Sequence, residues 1–178
     1  MMKAQTKADE SKPAAAAAAV ETPDRINAQL RLEMMQQRGF VAPSDAILPP
    51  PNKWVIRQTL NGVFLKQIPL PPPSPVGEDS KSGSRDPCIL FGRNDLICEI
   101  HTDHSSCSRL HAILVFRNEQ SSSSKSKSSL KPYIYDNGST HKTFVNKMEI
   151  PSLQFYRLHS GDILTFGTDK VEYELVAK

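Results

Sequence analysis

The longest apolar run in the second half of the chain is Ala112-Ile113-Leu114-Val115-Phe116, bounded by His111 and Arg117. It is too short to cross a membrane and too β-branched to favour a helix, so it predicts a central strand. Other apolar stretches are of the same kind: 53–58, 63–68, 88–92, 132–135, 163–166 and 171–176. Asn61-Gly62 separates the first pair, the residue pair that a tight hairpin favours. Gly161-Asp162 and the Asn137-Gly138 pair punctuate the rest. Short strands with regular turns predict an all-β, two-sheet antiparallel sandwich over residues 53–178.

Three of these runs end in loops rich in short polar side chains. Phe91-Gly92-Arg93 is the first and Ser108-Arg109-Leu110-His111 the second. The third runs from Asp136-Asn137-Gly138-Ser139-Thr140 through His141-Lys142-Thr143-Phe144-Val145-Asn146. A rigid sheet presents a binding edge through such loops. An arginine fork and several hydroxyls brought together suit a phosphate dianion.

Gly92-Arg93, Ser108-x-x-His111 and Ser139-Thr140-His141-x-Thr143-x-x-Asn146, in this order and spacing, resemble the forkhead-associated (FHA) family. Phe91 to Asn94, Asp103 to Ser108, Lys131-Pro132-Tyr133-Ile134 and Ile150-Pro151 bring the resemblance closest to its nuclear, splicing-associated branch, that of the FHA subunit of the pre-mRNA retention and splicing (RES) complex. The resemblance implies an FHA-type sandwich that binds a phosphothreonine-containing protein through loops at one end. It implies that Arg93, Ser108 and Thr140 hold the phosphate and that Arg109 and His141 meet the peptide main chain. Gly92, His111 and Asn146 would support the site, His111 by bracing the loops. It also implies a nuclear location, an adaptor rather than an enzyme, no cofactor, and an N-terminal tether to an RRM-type subunit and others of a splicing complex.

Two positions depart from the family pattern. His141 stands where most members have Asn, and Lys142 where they have Gly. If that second position needs a positive φ, lysine is strained there by about 1 kcal/mol. Lys142 either reshapes the loop or lends its charge to the phosphate. A site degenerate at Lys142 would make the protein a purely structural subunit. A phosphatase-inhibitor or kanadaptin type of regulator is the other alternative, and no Arg/Lys-Val-x-Phe docking motif supports the phosphatase role.

Residues 1–52 read as an extension. Residues 14–19 are all alanine, a run too short to hold a helix in water, and residues 1–21 are expected to be disordered. Thr22-Pro23-Asp24 is a helix start and Gly39 a stop. Between them Ile26, Leu30 and Met34 form one stripe, with Ala28, Leu32 and Met35 roughly opposite. Such a helix either packs on the domain or seats in a partner's groove. Pro43 and Pro49-Pro50-Pro51 in the linker that follows favour the external partner, with Ile26, Leu30 and Met34 as the contact. Residues 69–87 predict a long surface loop, and the Ser/Lys run 121–129 a flexible insertion.

Charge and cysteine usage narrow the class. Lys+Arg number 22 and Asp+Glu 19, a net +3 that argues against a bulk polyanion binder and leaves a local RNA contact open. No leader pattern opens the chain and no apolar segment is long enough to span a membrane. Three cysteines, with no C-x-x-C, read as free thiols in a reducing compartment. Cys98, His101, His104 and Cys107 recur every three residues, but a strand running into a loop does not converge such side chains on a metal. Ser108, His111 and Asp136 have the residue types of a nucleophilic triad, but no sharp turn presents the serine.

Overall fold

A computed structural model describes residues 22–75, 85–120 and 128–178. The alanine-rich tail, part of the 69–87 loop and the Ser/Lys run 121–127 lie outside the described residues.

Two sheets form a sandwich. In the first, β4 (Cys88–Gly92) pairs antiparallel with β6 (Ala112–Gln120), which pairs along its whole length with β7 (Ser128–Asp136). Then β10 (Phe155–Arg157) extends the β7 edge, and β1 (Ala46–Ile47) pairs with the far end of β6. In the second sheet the order is β3 (Val63–Leu70), β2 (Trp54–Leu60), β12 (Val171–Ala177), β11 (Ile163–Phe166), β8 (Thr143–Val145) and β9 (Met148–Glu149). At the β2–β3 turn, Asn61 and Gly62 have φ of 51° and 78°, the left-handed pair that a type I′ hairpin requires. The sandwich departs from the expected antiparallel pattern where β5 (Ile100–His101) runs parallel to β4, and in an isolated parallel bridge between Asp136 and Ser152. Ser128 and Ser129, expected in a flexible insertion, are paired with Gln120 and Glu119. Pro69 and Leu70, expected in a loop, belong to β3.

Alternation along the strands builds two cores. Ile89, Phe91, Ala112, Leu114 and Phe116 point between the sheets to meet Ile56, Val145, Leu164, Phe166, Tyr173 and Leu175. Phe91, Phe166 and Tyr173 form an aromatic cluster, with ring centroids 4.9–5.8 Å apart. The intervening residues Cys88, Leu90, Ile113 and Val115 point to the outer face of the first sheet, where they form a second core with Ile97, Cys98, Leu110 and Tyr135. The central run is continuously apolar because both of its faces are buried.

The cover on that outer face is α1 (Pro23–Gln36) and the turn after it. Met35 is 6% exposed and Phe40 3%, and the Phe40 ring meets Tyr135 edge-on at 5.0 Å. Burying such side chains contributes roughly 1.5–3 kcal/mol each. Pro23 opens the helix as expected, but Thr22 makes no side-chain cap bond. Gly39, at φ 78°, donates its N–H to the Gln36 carbonyl and closes it.

This placement corrects the picture of a free helix behind a linker. Leu30 and Met34 pack against the second core, while Ile26 stays 51% exposed and Leu32 47%. The prolines do not detach the segment, because the outer face of β6 supplies an apolar surface within its reach. Nor does residue 53 mark a break in packing. Asp45, in the expected linker, accepts a forked bond from Arg117 at 3.0 and 3.1 Å, beside β1.

Candidate functional site

The three polar loops lie at one end of the sandwich and are cross-tied by backbone bonds. Beyond β4 and β6 the chains remain paired: His111 N–H donates to the Phe91 carbonyl (2.8 Å), Arg93 N–H to Ser108 (3.0 Å) and Asn94 N–H to Arg109 (3.1 Å). The close approach accounts for Gly92. A Cβ there would overlap the Arg109 carbonyl oxygen and stand 2.9 Å from its carbon. The glycine is needed for room, since its φ is not positive. Arg93 donates Nε–H to the Cys107 carbonyl at 3.2 Å, which orients an otherwise exposed guanidinium. Among the described residues no carboxylate lies within ion-pair distance of Arg93 or Arg109.

His111 joins the second loop to the third. Its ring is fully buried, edge-on to Phe166 at 5.2 Å. Nδ1 accepts the Ser108 N–H (3.0 Å), and Nε2–H donates to the Lys142 carbonyl (3.0 Å). An N–H that can only donate and a carbonyl that can only accept fix one neutral tautomer. Burial, which disfavours the cation, holds the His111 pKa below its ordinary value. With both nitrogens committed to backbone, His111 has none left to serve as a base toward Ser108, so no triad exists.

Asp136 organises the third loop from inside. Fully buried, it accepts from Ser139 N–H (3.0 Å), Ser139 Oγ–H (2.6 Å) and Thr143 Oγ1–H (2.7 Å). Burial would raise its pKa, but these bonds to the charged form outweigh it and hold the carboxylate below the usual range. Lys142 adopts φ 66°, the left-handed region that glycine enters without strain. In that conformation its carbonyl receives both His111 Nε2–H and Gly167 N–H (2.9 Å). Its ammonium donates to Ser152 Oγ at 3.1 Å. His141 donates Nδ1–H to the Ser106 carbonyl (3.1 Å), and Ser106 Oγ accepts from Thr168 N–H (2.9 Å), so the second and third loops meet again.

Of the residues singled out in the sequence, Arg93, Arg109, Thr140 and His141 are exposed at this end. Ser108 and Lys142 are half-buried there, and Gly92 and His111 lie beneath them. Asn146 is a correction. It sits at the other end of β8, donating to Asp162 (2.8 Å) and accepting from Ile163 N–H (3.0 Å). It holds β8 to β11 and does not reach the loops. Ser106, Asp136 and Ser139 were missed as braces, although Asp136-x-x-Ser139 is the spacing of a carboxylate that caps its own turn.

The four residues at threefold spacing do not converge. Cys98 Sγ and Cys107 Sγ donate to the Arg109 and Phe166 carbonyls, His101 bonds the Arg93 carbonyl, and His104 bonds Ser106. Among the described residues no group of three metal-ligating side chains forms a site. The cysteines are free and buried, and burial raises all three thiol pKa values, which leaves them poor nucleophiles.

Comparison with known proteins agrees with this geometry. Residues 89–167 match the FHA domain, a stretch that includes all three loops and excludes α1. The FHA domain-containing protein DDL of Arabidopsis thaliana is 39% identical over 94 residues, 52% of this chain and 30% of its own. Smad nuclear-interacting protein 1 of Mus musculus is 36% identical over 94 residues, 52% of this chain and 24% of its own. The matched stretch thus spans less than a third of these relatives. Among solved structures, the yeast Pml1 splicing factor, described with its integration into the RES complex, superposes with a TM-score of 0.57 at 21% identity. That match covers 78% of this chain and 96% of Pml1, and it shows the shared sandwich fold.

Proposed function

We propose that this chain, which contains an FHA domain, is a phosphothreonine-peptide-binding adaptor of a nuclear pre-mRNA splicing assembly. The observation that carries the reading is the His111 latch. It fixes Ser108 and Lys142 relative to each other, while the Arg93 guanidinium is exposed and, among the described residues, clear of carboxylates. In this reading Arg93 takes the phosphate by its guanidinium fork, and the Ser108 and Thr140 hydroxyls add charge-assisted bonds. Arg109 and His141, on the rims of two loops, meet the peptide main chain. Nothing is turned over, because the site holds fixed donors and no activated nucleophile.

The splicing context is taken from the fold likeness to the yeast splicing factor Pml1, and the nuclear location from the similarity to Smad nuclear-interacting protein 1. Recruitment by an RRM-type subunit would use the N-terminal segment. With Leu30 and Met34 turned inward, Ile26 and Leu32 are the exposed large apolar side chains of α1.

The alternative of a degenerate site loses ground on one point. Lys142 holds the left-handed backbone and both carbonyl bonds that the loop needs. Its cost is a strain of about 1 kcal/mol and not a collapsed loop. The test is an oriented peptide library with a fixed central phosphothreonine, presented to the full chain beside libraries fixed at phosphoserine and at threonine. Retention of the phosphothreonine library alone supports the reading, and equal retention of all three overturns it.

A further inference from the structure

Arg38 lies just past the end of α1, outside the FHA-matched stretch, and its side chain lies against Gly138 of the third loop. Its Nη1 is 3.3 Å, and its Cδ 3.7 Å, from the point that a Cβ on Gly138 would occupy. Gly138, at φ 66°, is two residues before Thr140. The Leu153 side chain stands 3.4 Å from the same point. Ser152, next to Leu153, receives the Lys142 ammonium at 3.1 Å. The Ser152–Leu153 segment is itself fastened to the loop, since Leu153 N–H donates to the Asp136 carbonyl at 2.9 Å. Arg38 and Lys142 therefore flank one short segment beside Thr140.

The ordinary explanation for a cation at a helix C-terminus is that it satisfies the last carbonyls. Among the described residues Arg38 makes no such bond, and no carboxylate lies within ion-pair distance of Arg38 or Lys142. Asp136, the nearest acid along the loop, is buried and spent on Ser139 and Thr143. Two cations are thus left without a counter-charge next to a loop that offers donors to an anion.

We propose that Arg38 and Lys142 form a second anion subsite beside Thr140, so that the preferred ligand carries a further negative side chain near its phosphothreonine. The proposal rests on the phosphothreonine reading above and adds Arg38, from outside the FHA-matched stretch, as a specificity residue. The chemistry recognised is a carboxylate or a second phosphate. An exposed ion pair is worth up to about fivefold in affinity, and a dianion more.

The full chain and its Arg38→Gln variant are each presented with the phosphothreonine-oriented library, in 0.1 M and 0.5 M salt. Selected peptides are then titrated with Asp, phosphoserine or Asn at the enriched position, which separates the two sources of charge. The expected result is enrichment of acidic or phosphorylated residues at a fixed offset, weakened by salt and lost in Arg38→Gln, which still retains phosphothreonine. An exposed Arg38 makes the variant's folding safe, and the wild-type salt series tests the proposal without any variant. Absence of acidic enrichment in the wild type, or enrichment unchanged in Arg38→Gln, overturns the subsite while leaving the phosphothreonine site standing. Failure to retain phosphothreonine at all overturns the underlying reading, and the subsite falls with it.

Discussion

Arg31 and Glu99 meet at 2.8 Å with side chains only 4% and 2% exposed, and this pair fastens α1 to the strand edge that leads from Arg93. Arg31 also donates to the Ile97 and Cys88 carbonyls, each at 2.6 Å, and to Asp86 at 3.0 Å. The other Glu99 oxygen accepts Leu90 N–H at 2.8 Å. Burial disfavours the charged form of both groups. Their mutual attraction and these bonds keep Arg31 charged, and they oppose the rise that burial imposes on the Glu99 pKa.

Arg31→Leu strands a buried carboxylate and is expected to cost about 3–5 kcal/mol. The double variant Arg31→Leu/Glu99→Leu should recover much of that loss, because no lone charge is left. Urea unfolding of the two single variants and the double variant measures the coupling. Strictly additive losses would mean that the pair does not couple helix to sheet. A chain begun at Lys53 should be destabilised for the same reason, with Leu90, Ile113 and Val115 also uncovered.

The His111 latch gives stability a pH dependence. The folded-state pKa lies below the ordinary 6.5, so the unfolded chain binds the proton more readily. The contribution is whole above about pH 6.5 and is lost as pH falls through that value toward the folded pKa. Thermal unfolding from pH 8 to pH 5 should therefore show a fall in Tm that is reduced in His111→Asn, a variant less stable at pH 8 but flatter below it. Parallel curves for the two proteins would remove His111 as the cause.

Gly92→Ala places a methyl group against the Arg109 carbonyl, which is backbone and cannot swing away. Separating the first two loops should cost about 1–3 kcal/mol, in the range of core overpacking, and should shift Arg93. Chemical-shift mapping is expected to show changes at Arg93, Ser108 and Arg109 together with a lower Tm. An unchanged Tm would mean that the strand ends do not meet as described.

Lys142→Gly should raise stability by up to about 1 kcal/mol, because φ 66° suits glycine and strains lysine. For a chain of this length the Tm gain is roughly 2–4 °C. A lower Tm would show that the Lys142 bond to Ser152 outweighs the strain.

What could be read in the sequence was local. Asn61-Gly62, the short apolar strands and the three polar loops follow from turn chemistry and strand propensity. The family resemblance, and not the local sequence, marked Lys142 as standing where most members have glycine. Nonlocal burial could not be read in the same way. Arg31 on an amphipathic helix looks like a solvated residue until Glu99, distant in the chain, is placed beneath it. Yet two signs were present. Glu99 sits between apolar neighbours, Cys98 and Ile100, and a charge there needs a partner. The run Ala112 to Phe116 does not alternate, so its outer face needs a cover, and α1 supplies it. Asn146 shows the opposite hazard. It keeps the family spacing, yet a strand's length separates it from the loops it was expected to support.

The central claim is that Arg93, set by Gly92 and the Cys107 carbonyl beside Ser108, is the anchor for a phosphothreonine. The most direct test is calorimetric titration of one library-selected phosphothreonine peptide, and of its unphosphorylated form, into the wild-type chain and Arg93→Ala. Losing a charge-assisted phosphate contact worth a few kcal/mol should weaken binding about a hundredfold. The expected result is saturable binding of the phosphopeptide alone by the wild type, and its near-complete loss in a mutant of unchanged Tm. Equal affinity of the two proteins for the phosphopeptide would contradict the assignment.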